Sequence, residues 1–280
     1  MKKIDKPLFN ISTVVSDSIN NLRDHVLQNE VTNNLTIFQD FENDFELKIH
    51  NNQLFQIARN RVINTNINYE FLKKLYTQRM LDKKNIARRF YDQIIISAPK
   101  GKCPNCNHRQ ANTLDHYLPK SEYPILSVSP INLIPSCSNC NTGKLINYPT
   151  SSESEVIHPY FDDIDGVNWL QCSIINIKPL LYNFSVIDSS FSTIPFLNER
   201  LKNHFNSFEL NRLYKTQSSE EFENIKFQIE KLFYNGGNAS LKEYLFDCYE
   251  SRQKTDINSW QTAFYKCLYE NDNFCNGLFI

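Results

Sequence analysis

The sequence predicts an α+β protein, predominantly α-helical, with a short cysteine-bearing segment set between helical N- and C-terminal regions. Three observations carry that expectation. Apolar residues recur at helical spacing through most of residues 1–96 and again toward the C-terminus. Between these regions helical periodicity disappears, and Cys, Pro, Asn and Ser crowd together from Cys103 to about Pro149. Further on, two short stretches alternate polar and apolar residues around Pro179, the pattern of a small hairpin.

In the N-terminal region, 1–96, apolar residues at mixed helical spacing predict helices over Ser16 to Leu27 and Phe41 to Ile63. "YEFLKKLYTQRM" places Phe71, Leu72, Leu75 and Tyr76 on one face, and Ile86, Phe90 and Ile94 follow at steps of four. Pro99 and Gly101 in "SAPKGK" then break the pattern. The central segment, 97–149, is followed by the polar loop "PTSSESE". The C-terminal region, 150–280, opens with the hairpin, whose apolar positions are Ile175/Ile177 and Tyr182/Phe184/Val186. Three amphipathic stripes come next: Phe222, Ile225, Ile229, Leu232 and Phe233; Leu241, Tyr244, Leu245, Cys248 and Tyr249; Trp260, Ala263, Phe264, Cys267 and Leu268. "NGGN" at 235–238 marks a turn between the first two.

A chain of 280 residues can hold one large domain or two small ones. Its net charge of −1 excludes a polycation, but Gln56 to Lys120 contains 13 Lys/Arg against 4 Asp/Glu, a local +9. That excess permits a nucleic-acid face and equally describes solvated helix surfaces. The start, "MKKIDKPLFN", is too polar for a secretion signal, and no apolar run approaches the roughly 18 residues of a membrane span. A cytoplasmic protein is expected, where disulfides are rare. Of the eight cysteines, Cys172, Cys248, Cys267 and Cys275 read as small core hydrophobes.

The other four form two C-x-x-C units, Cys103/Cys106 and Cys137/Cys140, with thirty residues between them. Two such knuckles can present four thiolates tetrahedrally, the geometry of a closed structural Zn²⁺ site. A site of this kind contributes about 10–16 kcal/mol of apparent binding energy to folding. With zinc's coordination full, any chemistry must come from elsewhere. Between the knuckles, Asp115 offers a hard carboxylate oxygen suited to Mg²⁺ or Mn²⁺. His116 is a base suited to taking a proton from water near neutral pH. Asn132 and Asn141 offer amide groups.

This order of residues, C-x-x-C, D-H, N-L and C-x-x-C-N-x-x-K, resembles the zinc-stapled branch of the HNH endonucleases, the ββα-metal fold. The wider stretch from about 75 to 162 is similar to one HNH subgroup through "LYTQRM", "YDQIII", "LDHYLPKSEYPILSVSPINLIPSCSNCNTGK" and "IHPYFDD". Some members of that subgroup serve bacterial anti-phage defence beside an ATPase, as in Septu-type systems. The resemblance implies roles. Asp115 and Asn141 would hold a catalytic Mg²⁺ or Mn²⁺, His116 would be the general base, and Asn132 would brace the loop that orients it. The substrate would be DNA, with RNA not excluded, and the products would carry 5′-phosphate and 3′-hydroxyl. Asn141 stands where the family name has its final His, a variant within the family.

Lys144 reads either as a phosphate contact or as a surface lysine capping a helix. Lys120, Arg109, Lys100 and Lys102 are candidates to steer a nucleic-acid backbone. His158 reads as a buried, hydrogen-bonded histidine, and Asp162 and Asp163 as turn or capping residues. The near-neutral total charge points to a partner, an ATPase by resemblance, docked on the helices of 1–96 and 200–270. Two rival functions remain: a zinc-stapled module that binds nucleic acid or protein without cutting, and a thiol-redox protein. The latter lacks the βαβ context it needs.

Overall fold

A computed structural model describes residues 1–144, 148–188 and 194–280. The chain forms two compact units, Met1–Asp163 and Ile164–Ile280.

The first unit begins with α1 (Ile11–Ile19), α2 (His25–Asn33) and α3 (Leu35–His50). The single helix expected over Ser16 to Leu27 is instead two, because short polar side chains compete for the backbone there. Asp24 accepts from Leu27 N at 3.0 Å and starts α2, and Gln28 Nε2 donates to the Ile19 carbonyl at 3.0 Å, closing the end of α1. Likewise α3 stops thirteen residues short of Ile63, where Asn52 takes a left-handed φ of 53°. α4 (Tyr69–Lys74), capped by Asn68, runs into a π-helical turn at Leu75–Met80. α5 (Arg88–Ile96) buries Phe90 and Ile94, whereas Ile86, upstream of it, is exposed.

The central segment supplies β1 (Thr113–His116), β2 (Leu133–Ser136) and the short α6 (Ser138–Gly143). The strands are antiparallel, with Thr113 opposite Ser136 and His116 opposite Leu133. Leu114, Leu133 and Ile134 join one core with Val14, Phe38, Phe45, Leu72, Leu75, Phe90 and Ile94. Residues 1–96 and the central segment therefore share a single interior. At roughly 1.5–3 kcal/mol for each large apolar side chain buried, the helices supply most of the core energy the ribbon lacks.

Two polar anchors cross this core. Glu42, 4 % exposed, accepts from Ile11 N at 2.9 Å and from the Ser129 hydroxyl at 2.7 Å. A carboxylate at the first turn of α1 is favoured by the helix dipole, but burial still pushes its pKa up. The "HPYFDD" stretch covers the ribbon. His158 is fully buried and reaches the Ile131 carbonyl at 3.1 Å, and Tyr160 donates to the Leu133 carbonyl at 2.8 Å. Asp162 accepts from His158 N at 2.7 Å, the turn role expected, whereas Asp163 pairs with Lys3 in an exposed ion pair.

The second unit holds β3 (Leu170–Ile177) and β4 (Leu180–Val186), then α7 (Leu197–Ser207), α8 (Leu210–Thr255) and α9 (Trp260–Glu270). β4 buries Tyr182, Phe184 and Val186 as expected, but on β3 it is Ile174 that lies opposite Tyr182, so Ile175 points outward, 62 % exposed, at the bulge between Ile174 and Asn176. The expected loop at "NGGN" is a one-residue break in α8, where Gly237 takes φ 65° and ψ −159°, a conformation only glycine adopts without strain. No helix among the described residues is long and apolar enough to cross a membrane.

Candidate metal centre and the Asp115–His116 site

The first knuckle closes through backbone bonds. Asn107 N donates to the Cys103 carbonyl at 2.7 Å, and Cys103 N to that of Arg109 at 2.8 Å. Asn107 supplies the left-handed residue the turn needs, φ 50°. The second knuckle is the start of α6, where Cys137 Sγ accepts from Cys140 N at 3.4 Å. All four cysteines are buried, and their sulfurs lie within 4.8 Å of one another. A tetrahedral ion with metal–sulfur bonds of about 2.3 Å has sulfur–sulfur edges of about 3.8 Å. The Cys106–Cys137 separation is 4.0 Å. These residues form a group that can hold a metal ion such as zinc. Hydrogen bonding with Cys103 lowers the Cys106 thiol to about 7, toward the thiolate that a metal ion takes up.

On the ribbon, Asp115 and His116 project on opposite sides of β1. They are 6 % and 7 % exposed. His116 Nε2 lies 2.8 Å from the Ser127 carbonyl. A carbonyl only accepts, so Nε2 carries the proton and Nδ1 the lone pair. Burial, helped by the charge of Lys120, lowers this imidazole to about 3, so the ring is neutral throughout the physiological range. The ring of Tyr76, from the π turn, meets it edge-on at 4.5 Å. Ser127 is itself fixed, its hydroxyl donating to the Leu72 carbonyl at 2.6 Å. Asn132 is fully buried, with Oδ1 accepting from Leu118 N at 2.7 Å and Nδ2 donating to the Leu118 and Leu126 carbonyls at 3.0 and 3.1 Å. It ties the segment after His116 to the loop that carries Ser127.

α6 lies along the Asp115 side of β1. Asn141 Nδ2 donates to the Thr113 hydroxyl at 3.3 Å. One turn on, Lys144 is the C-cap residue of α6 but is not the surface lysine expected. It is 4 % exposed, donates to the carbonyls of His116 at 3.0 Å and Tyr117 at 2.6 Å, and stands 3.6 Å from Asp115 Oδ2. Helix closure onto the strand end draws it inward. Burial pushes the Asp115 carboxyl up and the Lys144 ammonium down, each opposed by the other's charge. Lys120 is half-buried, its ammonium 5.4 Å from the Tyr76 ring centre. Arg109 sits on the first cysteine knuckle, and Lys100 and Lys102 are exposed.

Composition and spacing gave no sign of Tyr76, Ser127 or Leu72 as parts of this site. "LYTQRM" belongs to the resembling pattern, but its role there was unassigned.

No family model matches the chain. One curated relative is Protein ea31 of Escherichia phage lambda. It is 26 % identical over 302 aligned positions, which span 99 % of this chain and all of that protein. No solved structure matches.

Proposed function

We propose that this chain is a metal-dependent endonuclease of the HNH type, hydrolysing phosphodiester bonds of DNA. One observation carries the reading. A short antiparallel ribbon and the helix after it assemble around a buried Asp-His pair whose histidine is locked with Nδ1 as its free base. In this reading the four cysteines hold a structural zinc, and Asp115 with Asn141 holds Mg²⁺ or Mn²⁺. The donor chemistry fits a hard cation: a carboxylate with an amide-bearing side chain on the adjoining helix, and an ammonium already drawn to that carboxylate. Such an ion supplies Lewis-acid stabilisation of charge growing on the phosphate and the departing 3′ oxygen.

The chain's own residues do the rest. His116 Nδ1 takes a proton from the attacking water, with Ser127 fixing the tautomer and Tyr76 the ring plane. Asn132 keeps the loop carrying Ser127 in register with the strand end. Lys120, with Arg109 farther off, contributes positive potential toward a polyanion. An ATPase partner and a role in anti-phage defence rest on the resemblance of residues 75–162 alone.

The alternative, a zinc-stapled binding module, draws on the near-complete burial of Asp115 and His116. Plasmid cleavage by the purified chain with Mg²⁺ or Mn²⁺, with and without EDTA, separates the two. Metal-dependent nicking that falls roughly 10²–10⁴-fold in His116→Ala, with bound zinc retained, supports the enzyme. A chain that binds nucleic acid and never cuts it, alone or with its partner, supports the module.

A further inference from the structure

We propose that Lys144 is an internal counter-ion that closes the Asp115 metal position, so that entry of a hard divalent cation and withdrawal of the Lys144 ammonium are one coupled event. This rests on the nuclease reading only in giving Asp115 a metal.

The geometry begins with burial. Lysine is among the residues least often buried, and an apolar side chain of similar volume would fill the same space at least as well. Here the ammonium has three donors to place. Two go to the carbonyls of His116 and Tyr117, at 3.0 and 2.6 Å, and it stands 3.6 Å from Asp115 Oδ2. Its charge also lies 4.9 Å from the centre of the Tyr117 ring. Thus the ammonium caps the end of the strand that carries the Asp-His pair, and it sits against the carboxylate assigned to the metal.

A Mg²⁺ or Mn²⁺ ion on that carboxylate sits about 2.1 Å from oxygen and keeps several waters. An ammonium on the same edge would then lie within about 4 Å of a double positive charge, with little water between to screen it. The two do not share the edge. Lys144 can leave cheaply in geometric terms: it is the C-cap residue of α6, and its long stem swings without moving Asn141 one turn earlier. The carbonyls it abandons can accept from metal-bound water. A phosphate arriving at the site gives the freed ammonium a new partner, so metal and nucleic-acid backbone should each raise the other's affinity, as linkage requires.

The test uses the zinc-loaded full chain and Mn²⁺ as the probe, with free Mn²⁺ read by electron paramagnetic resonance. Lys144→Gln and Lys144→Met should bind Mn²⁺ at least about tenfold more tightly than the wild type, and Asp115→Asn should lose the site. In the wild type, reductive methylation of Lys144, followed by mass spectrometry, should be slow without Mn²⁺ and faster at saturation. Unchanged or weaker Mn²⁺ binding in both variants, with zinc content and melting temperature kept, overturns the proposal. So does methylation of Lys144 that ignores Mn²⁺, a readout that stands even if the variants fail to fold. Absence of Mn²⁺ binding in wild type and variants alike also overturns it. Cleavage is scored separately: coupling without cleavage sinks the nuclease, and cleavage without coupling sinks only the counter-ion.

Discussion

Replacing Asn132 with Asp changes one NH₂ group to an oxygen at a fully buried position. The native amide donates to the Leu118 carbonyl at 3.0 Å and the Leu126 carbonyl at 3.1 Å, and its own oxygen accepts from Leu118 N at 2.7 Å. A carboxylate there faces two carbonyl oxygens with no donor, so the side chain must take up a proton to remain. Protonated, it satisfies one carbonyl and strands the other, which costs about 1–3 kcal/mol. Holding a proton at pH 7 on a group whose ordinary pKa is near 3.9 adds about 1.4 kcal/mol per pH unit, up to roughly 4 kcal/mol. The sign follows: a carboxyl raised in the folded state binds its proton more tightly than in the unfolded chain. Stability is therefore lost as pH rises and recovered as it falls. We expect Asn132→Asp to destabilise the first unit by about 3–7 kcal/mol at pH 7, the upper end where the full proton cost adds to the stranded carbonyl, with the deficit shrinking toward pH 5. The assay is urea unfolding followed by release of bound zinc to a chromogenic chelator. Both tryptophans, Trp169 and Trp260, lie in the second unit, so their fluorescence serves as an internal control. A deficit below about 1 kcal/mol, or one independent of pH, would refute the assigned hydrogen bonds.

Four further outcomes are expected. Atomic absorption should find one zinc per chain, and Cys140→Ser or a strong chelator should remove it and unfold the first unit while leaving the second melting as before. Glu42, raised by burial, makes the first unit lose stability as pH climbs from the ordinary carboxylate range through its folded value; Glu42→Gln should flatten that slope in pH-dependent thermal melts. Tyr76→Leu, which removes the ring held 4.5 Å from His116, should lower kcat for cleavage more than it raises KM, because it disturbs the base and leaves the backbone contacts alone. Lys120→Ala should weaken binding to duplex DNA of every sequence and reduce the salt slope of log K by about 1; an unchanged slope would remove Lys120 from the interface.

What the sequence disclosed depends on how local the cause was. Four sulfurs at fixed spacing report a metal centre regardless of what packs around them, so Cys103, Cys106, Cys137 and Cys140 were legible before any fold was known. The turn at Pro179 and the buried face of β4 were legible for the same reason. Helix ends were less so: Asn20, Asn21, Asp24 and Asn52 fall within apolar patterns that run on past them, and their side-chain and left-handed chemistry wins over periodicity. Ile175 was misread because Ile174 beside it is equally apolar, so alternation could start on either residue, and the cross-strand pairing with Tyr182 selects Ile174. The burial of Lys144 was not legible because it arises from α6 folding against β1, whose residue His116 lies 28 positions away. The role of Asn132 came from resemblance alone, since nothing in its neighbours marks it as fully buried.

The helices of residues 1–96 have less freedom to act as docking arms than their position in the sequence suggests. Two strands of four residues and a six-residue helix bury too little apolar surface to stand alone, and a metal at one end does not fix the other. At that other end the constraints come from far upstream. Leu72 O holds the Ser127 hydroxyl, Ser127 O holds His116 Nε2, and Tyr76 abuts the same imidazole. Glu42 of α3 secures Ser129 in the loop leading to Asn132. The Tyr69 hydroxyl reaches the Ser121 carbonyl, next to Lys120. The inner faces of α3, α4 and the π turn are thus occupied in aiming His116 and its neighbours, and only their outer faces are open to a partner. An excised 97–149 segment should bind zinc through its knuckles yet leave His116 without its tautomer lock. Such a fragment is expected to hold metal and to lack whatever chemistry the full chain performs.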